Sequence, residues 1–378
     1  MKVVIAGSRG IPANYGGFET FAEELGVNLQ ARDGFDVSII CDADQREVNN
    51  SLNEYKGVKL VYAKYSKGRN PVLFYLHSFI LAVRHSDIIL TCGVGGGYWS
   101  FIPRLFNKIL VTNPDGVGWK RSKWSFLQKL ALRTMYYTSV KFSNYFVCDS
   151  VGITALMKSK YSYSRSYTIE YGAYINSFVD IFSNKVEKVL SHYGLESQGF
   201  HLVVSRLEPE NNVDMIIKAY LKRKRKYQLV IVGNLQKTEF VRDLQRAAND
   251  DVIFLGGIYD KDELAIVRAN ALDYIHGHSV GGTNPSLLEA LASANICVCH
   301  DNIFNREVVR DAGYFFESSD TLSDLIDVVE KANPTEFSQK RTASLDRVSS
   351  YYNWDLIGDK YSVAFEEMLA NKVRYHER

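Results

Sequence analysis

The feature that most constrains the fold is an alternation of short apolar runs with longer segments of helical pattern. The apolar runs have the length of strands, and helical segments between successive strands are typical of a parallel sheet. After residue 199 the same alternation starts again. The strand candidates of the first set are residues 3–6, 37–41, 58–63, 88–91, 109–112 and 145–148; those of the second lie within 200–210, 227–235, 252–258, 271–278, 296–300 and 314–317.

The repeated pattern predicts two doubly wound, Rossmann-like α/β domains, because 378 residues exceed one core of ordinary size. We expect residues 1–173 to form the first domain and residues 174–355 the second. Residues 356–378 are predicted to form a helix that packs back on the first domain. We expect the domains to face each other across a cleft, with ligands in the loops that follow the strands.

The charge balance argues against nucleic acid as a partner, since a formal net charge of +2 and a pI of about 8.1 are far from strongly basic. The five cysteines follow no zinc-binding spacing, which indicates buried free thiols in a reducing cytoplasm. The chain opens on a strand pattern rather than a signal peptide, so a cytoplasmic protein is expected.

The stretch "GSRGIPANYGGFE", from Gly7 to Glu19, follows the first strand and lacks the G-x-G-x-x-G spacing that binds dinucleotides. Gly16 and Gly17 come directly before a helix, where their backbone N–H groups can approach an anion or a sugar closely. Glu19 lies in the first helical turn, where its carboxylate can accept hydrogen bonds from hydroxyls. A tight turn with a carboxylate at the helix dipole is the other interpretation.

Arg206 stands at the carboxyl end of the first strand of the second set. From that position a guanidinium can donate two parallel hydrogen bonds to phosphate oxygens. The alternative is an ordinary surface ion pair with Glu208 or Glu210.

The stretch "HGHSVGGTNPSLLEALA" combines two glycines with helix-capping residues. Thr283 and Asn284 are good N-caps, and a proline follows at the first helical position, so the loop predicts an anion-binding helix N-terminus. Glu289 lies about one turn into the helix, within reach of ligand hydroxyls such as those of a ribose. His278 can contact the sugar or a phosphate, or make a structural hydrogen bond.

Three quoted stretches carry a resemblance that runs nearly end to end: "GGFE" from Gly16, "SRLEPENN" from Ser205 and "GGTNPSLLEA" from Gly281. They resemble the marker motifs of family 4 glycosyltransferases, which have the GT-B fold. Within that family, "SRGIPANYGGFET" and "NPDGVGWKRSKW" are most similar to bacterial rhamnosyltransferases of capsule and cell-wall polysaccharide synthesis. Those enzymes use dTDP-L-rhamnose and a polyprenyl-diphosphate-linked sugar acceptor.

The resemblance implies that residues 1–173 bind the acceptor and residues 174–355 bind the nucleotide-sugar. It also implies a transfer that retains anomeric configuration and needs no metal or other cofactor. It assigns the leaving diphosphate to Arg206, Asn211 and the backbone N–H groups around Gly282, where the family usually has Lys in place of Asn211. A carboxylate nucleophile is excluded at Gly281, which replaces the first of the family's two glutamates. The predicted catalytic residues are Asp115, Arg206 and Asn211; the donor-binding residues are Gly16, Gly17, Arg206, Asn211, His278, Gly281, Gly282, Thr283, Asn284 and Glu289; the acceptor-binding residues are Glu19 and Asp115.

Asp115 of "TNPDG" is the nearest counterpart of a histidine on the acceptor side in this family, so it is expected to orient or deprotonate the acceptor. Two other functions fit the same residues. One is transfer from a UDP- or GDP-sugar, because no base-contacting residue is legible. The other is a non-catalytic nucleotide-sugar-binding protein, because the usual Lys and the first Glu are missing.

Residues 118–137 mix aromatic and basic side chains, including Trp119, Trp124, Lys120 and Arg133. That composition is typical of a segment lying on an anionic membrane surface, which would suit a lipid-linked acceptor at the inner face of the cell membrane. An ordinary amphipathic helix is the alternative.

Overall fold

The computed structural model describes residues 1–13, 16–48, 50–114, 125–161, 165–175 and 184–376, with the backbone alone at residues 160 and 373–376. The chain divides into two compact units, Met1–Tyr171 with Trp354–Arg378, and Gly172–Asn353. Both boundaries lie two residues before the predicted ones.

The described part of the first unit contains one eight-stranded sheet, parallel except at one edge pair. Its strands are Lys2–Ala6 (β1), Asp36–Cys41 (β2), Glu54–Tyr55 (β3), Val58–Tyr62 (β4), Ile88–Cys92 (β5), Ile109–Asn113 (β6), Tyr145–Cys148 (β7) and Ser166–Thr168 (β8). The spatial order is β3-β4-β2-β1-β5-β6-β7-β8, so the winding reverses between β1 and β5. All six strands predicted for the first set are confirmed.

Helices connect these strands because their apolar residues recur at helical spacing. In the first one, Phe21, Ala22, Leu25 and Leu29 are all buried against the sheet side. The helices of this part of the chain are Gly17–Gln30 (α1), Ala43–Val48 (α2), Pro71–His85 (α3), Ile102–Leu105 (α4), Phe126–Phe142 (α5) and Val151–Tyr161 (α6).

The second unit has a six-stranded sheet among its described residues, and all its strand pairs are parallel. The strands are Phe200–Val204 (β9), Gln228–Val232 (β10), Val252–Gly256 (β11), Asp273–His276 (β12), Cys297–His300 (β13) and Gly313–Phe316 (β14). Their order is β11-β10-β9-β12-β13-β14, so the reversal lies between β9 and β12. Ligands of doubly wound sheets bind at such a reversal.

Buried Val, Ile and Leu side chains from these strands and their helices form one continuous core, which includes Ile216, Ile231 and Ile275. Cys297 and Cys299 are fully buried in this sheet, in agreement with the prediction of buried free thiols. The helices are Asn184–Tyr193 (α7), Val213–Leu221 (α8), Glu239–Ala247 (α9), Lys261–Ala269 (α10), Pro285–Ala292 (α11), Ile303–Val309 (α12), Ser319–Lys331 (α13) and Pro334–Arg347 (α14).

The C-terminal helix Trp354–His376 (α15) packs on α1 of the first unit, as predicted. The Phe21 ring lies 6.4 Å from that of Trp354 and 5.9 Å from that of Tyr361. Arg32 also forms an ion pair with Asp359. None of the helices described is both long and apolar enough to cross a bilayer.

Candidate functional site

Two loops of the second unit leave neighbouring strands at the winding reversal and are joined by hydrogen bonds. Ser279, after β12, donates from its backbone N and its Oγ to the carbonyl of Glu210, after β9, at 3.1 and 2.9 Å. Asn212 Nδ2 donates to the carbonyl of Gly277 at 2.8 Å. A Cβ at Gly277 would lie only 2.2 Å from the Asn211 carbonyl oxygen, so the close approach requires glycine. The loops carrying Arg206 and Gly281 therefore belong to one surface.

The side chain of Arg206 is 49% exposed, and its Nη1 lies 3.6 Å from Glu208 Oε2. The ion pair with Glu208, which was the alternative interpretation of Arg206, is thus present. An exposed pair at this distance contributes little free energy, so the guanidinium keeps most of its capacity to bind an anion.

The side chain of Asn211 is buried, and its Nδ2 donates to the carbonyl of Arg206 at 2.6 Å. Asn211 ends a 3-10 turn, and Asn212 then adopts a left-handed conformation with φ of 51° before α8. In this structure the Asn211 amide supports the main chain beneath Arg206. Its direct contact with a phosphate stays a prediction.

The helix α11 begins as its sequence predicted. Asn284 is the N-cap, and its side chain accepts a hydrogen bond from Ser286 N at 2.9 Å, with Pro285 at the first helical position. Thr283 is buried, whereas Gly281 has φ of +137° and open space where a Cβ would be. The start of α11 therefore combines a capped helix dipole with a loop that leaves room for a ligand.

Glu289, the predicted ribose contact, is paired with an arginine that the sequence analysis missed. Arg268, at the end of α10, places Nη2 2.6 Å from Glu289 Oε2; their side chains are 6% and 38% exposed. The same Nη2 donates to Ser286 Oγ at 3.3 Å. The only sequence signal was a charge inside the apolar run "LAIVRANAL".

His278 is held by a stack of aromatic rings that rises from β12. The His276 and His278 rings are nearly parallel at 4.3 Å, and the Tyr274 ring lies 5.7 Å from that of His276. Burial lowers the pKa of His276 well below its usual value, and the neighbouring His278 and His300 lower it further. His276 is therefore neutral at physiological pH, so the His278 ring stacks on an uncharged imidazole rather than on a second charge.

The glycine-rich loop of the first unit is organised differently from that of the second. Glu19 is buried and its Oε1 accepts a hydrogen bond from Arg9 N at 2.8 Å. Glu23, also buried, accepts one from Ala13 N at 2.6 Å. Gly16 is the N-cap of α1 and Gly17 its first residue. The structure gives Glu19 a loop-supporting contact, and its role toward an acceptor stays a prediction; Asp115 lies outside the described residues.

Comparison with known families addresses the second unit directly. Residues 191–344 match the family described as glycosyl transferases group 1. Most of the second unit is therefore similar to group 1 glycosyltransferase domains. Residues 1–174 match a domain of unknown function, DUF1972.

One curated protein and several solved structures are also similar to this chain. O-antigen chain mannosyltransferase B of Escherichia coli is 24% identical over 174 residues, a match that spans 44% of this chain and 45% of that protein. Among solved structures, sucrose-phosphate synthase from Thermosynechococcus elongatus has a TM-score of 0.80 at 14% identity, covering 98% of this chain and 99% of that one. HepE from Anabaena, solved with UDP-glucose, has a TM-score of 0.76 at 14% identity, covering 97% and 100%. The predicted GT-B fold is confirmed.

Proposed function

We propose that this protein is a retaining glycosyltransferase that moves L-rhamnose from dTDP-L-rhamnose to a polyprenyl-diphosphate-linked sugar in bacterial surface polysaccharide synthesis. The observation that carries the proposal is the pair of hydrogen-bonded loops at the β9–β12 reversal, which brings the Arg206 segment beside the start of α11. The group 1 family match covers these loops.

In the proposed mechanism the second unit stabilises the charge that develops on the leaving diphosphate. The Arg206 guanidinium and the backbone N–H groups from Gly282 to Asn284 bind its oxygens, and Asn211 fixes the main chain under the arginine. Donors that are in place before reaction need no reorganisation as the charge develops, which lowers the barrier. No metal ion or other cofactor takes part in this mechanism.

The transfer itself breaks the bond between the anomeric carbon and the diphosphate oxygen and forms one to the acceptor oxygen. The acceptor hydroxyl attacks from the face that the diphosphate leaves, and the leaving oxygen takes the hydroxyl proton. Asp115 orients the acceptor, or takes its proton first. Gly281 has no side chain that could attack the sugar, so no glycosyl ester forms there.

The lipid-linked acceptor implies contact with a membrane, and α5 has a surface suited to it. Four of its large apolar side chains point outward: Phe126 is 80% exposed, Leu127 74%, Leu130 52% and Tyr137 61%. The helix also carries Lys129, Arg133 and Lys141 and no acidic residue. We expect co-sedimentation with vesicles containing anionic lipid and not with neutral ones, and reduced binding for the Leu127→Glu variant. Equal binding of that variant would contradict this contact.

The direct test of the activity is to mix purified protein with dTDP-L-rhamnose and a polyprenyl-diphosphate-linked sugar, then follow dTDP release and the mass of the lipid product. We expect both to appear together, and both to fall sharply in Arg206→Met but not in Arg242→Met, an exposed arginine on α9. dTDP release without glycosylated lipid would indicate hydrolysis only, and would contradict the proposed acceptor.

A second donor is favoured by a specific observation, the partial match to an O-antigen chain mannosyltransferase. The same assay with GDP-mannose and UDP-glucose separates the donors, because the true donor gives the fastest product formation. Tight binding of a nucleotide-sugar without turnover of any donor would favour a non-catalytic binding protein.

A further inference from the structure

A buried arginine lies at the base of the proposed donor site and has no counterpart among the predicted site residues. The Arg268 side chain is only 6% exposed, and its Nη2 contacts both Glu289 Oε2 and Ser286 Oγ. Its Nε is buried without a hydrogen-bond partner among the described residues. A guanidinium removed from water is costly unless its partners are well placed, so this arginine depends strongly on Glu289.

The surroundings of Arg268 fix its position relative to the donor loops. Ser286 Oγ lies 2.8 Å from Tyr274 Oη and donates to the carbonyl of Val204, at the end of β9, at 3.2 Å. Asn295 Nδ2 donates to the Arg268 carbonyl at 2.7 Å. These bonds connect α10, the first turn of α11 and the strand before Arg206, so the arginine has little freedom to move away from Glu289.

The ion pair involves only one of the two oxygens of the Glu289 carboxylate. Oε2 lies 2.6 Å from Arg268 Nη2 in the ion pair, whereas Oε1 has no hydrogen-bond partner within the described ranges and the side chain is 38% exposed. A carboxylate binds the two hydroxyls of a ribose best when each oxygen accepts from one hydroxyl. With Oε2 engaged, Glu289 presents one oxygen to a ligand.

We propose that Arg268 is a positioning residue that sets nucleotide specificity: by holding Glu289 Oε2, it makes the site accept nucleoside diphosphates with one free ribose hydroxyl over those with two. The inference rests on the proposed function, since Glu289 is the proposed ribose contact. A 2′-deoxynucleotide such as dTDP has one ribose hydroxyl, and Glu289 Oε1 can accept its hydrogen bond. The second hydroxyl of a ribonucleotide loses hydrogen bonds to water on binding and gains no protein partner, which weakens binding.

The test compares dUDP with UDP, which differ only in the 2′-hydroxyl, by isothermal titration. We expect wild-type protein to bind dUDP about tenfold to a hundredfold more tightly than UDP. Arg268→Met should narrow this ratio to about threefold or less, while Arg268→Lys, which retains one donor for Oε2, should keep most of it. Arg242→Met on α9 is the matched control and should leave the ratio unchanged.

Equal wild-type affinity for dUDP and UDP would overturn the inference, as would an unchanged ratio in a folded Arg268→Met protein. If the methionine variant does not fold, the test uses the other two proteins: wild type should prefer dUDP, and Arg268→Lys should keep most of that preference. Failure of the proposed function is measured separately, in the transfer assay: no rhamnosylated lipid would form from dTDP-L-rhamnose, whatever the ratio of the dUDP and UDP affinities.

Discussion

The two glycine-rich loops of this protein have the same place in their units and opposite internal organisation. Each follows a strand at the winding reversal and precedes a helix that carries a glutamate. In the first unit, Glu19 and Glu23 of α1 are buried, and their carboxylates accept hydrogen bonds from backbone N–H groups of the preceding loop. In the second unit, Glu289 of α11 is partly exposed and forms an ion pair with Arg268.

The comparison shows that a glycine-rich loop with a glutamate does not by itself specify a ligand contact. In the first unit, protein carboxylates satisfy loop N–H groups, so these glutamates mainly maintain the shape of the loop. In the second unit a neighbouring loop and a buried cation support the structure, which leaves a carboxylate oxygen open to a ligand. Three substitutions test this difference, and a fourth test concerns the opposite end of the second sheet. They follow in order of decreasing effect.

The largest effect is expected from Gly277→Ala, which should separate the two joined loops. A Cβ there would lie 2.2 Å from the Asn211 carbonyl oxygen, so the backbone must shift. We expect a loss of about 2–4 kcal/mol in the free energy of unfolding, measured with urea, together with loss of nucleoside diphosphate binding. Gly68→Ala is the control, because its Cβ would approach only Ser66 Oγ, at 3.7 Å. Normal dTDP binding by Gly277→Ala would contradict the role of the joined loops.

Arg206→Met should weaken dTDP binding by about tenfold to a hundredfold, because hydrogen bonds from a charged donor are worth about 1.5–3 kcal/mol. The melting temperature should change little, since the arginine is half exposed and its pair with Glu208 is loose. Titration calorimetry and thermal unfolding of the same samples measure the two quantities. A large drop in melting temperature with unchanged dTDP affinity would show that Arg206 contributes to stability and not to diphosphate binding.

Glu19→Ala should have the opposite effects, lowering stability and leaving dTDP affinity nearly unchanged. Removing its carboxylate leaves the Arg9 N–H without that partner, and we expect a loss of about 1–3 kcal/mol in stability with dTDP affinity unchanged within about twofold. Glu47→Ala, at an exposed glutamate on α2, is the control for removal of a charge. If Glu19→Ala instead keeps full stability and impairs transfer to the acceptor, the two loops are more alike than their contacts indicate.

The smallest expected effect is a pH dependence of stability, which arises from His201 at the other end of the second sheet. Burial alone would lower the pKa of His201, but the carboxylates of Asp273 and Glu330 outweigh it and raise the pKa to about 9. A raised pKa means that the stabilisation is complete below about pH 6.5, the unfolded value, and is lost as pH rises through about 9. Melting temperatures from pH 6 to 10 should fall less steeply for His201→Gln than for wild type. Parallel curves would contradict the assignment.

The alternation of strand and helix patterns was sufficient to predict both sheets apart from β3 and β8, because buried strands have apolar runs that are visible in the sequence. The strands β3 and β8 have two and three residues, too few to form such a run. The start of α11 was also predictable, since Asn284 and Pro285 act locally on the helix terminus. The inward turn of Glu19 and the pairing of Glu289 with Arg268 were not. Both depend on contacts between residues far apart in sequence, and nothing in the local pattern records which neighbour a carboxylate meets.

A crystal structure with dTDP bound would show directly whether the joined loops of the second unit bind the diphosphate. We expect the diphosphate to lie against the Arg206 guanidinium and the N–H groups from Gly282 to Asn284, with one deoxyribose hydroxyl donating to Glu289 Oε1. A diphosphate bound instead at the Gly16–Gly17 loop of the first unit, with Arg206 still paired only to Glu208, would contradict it.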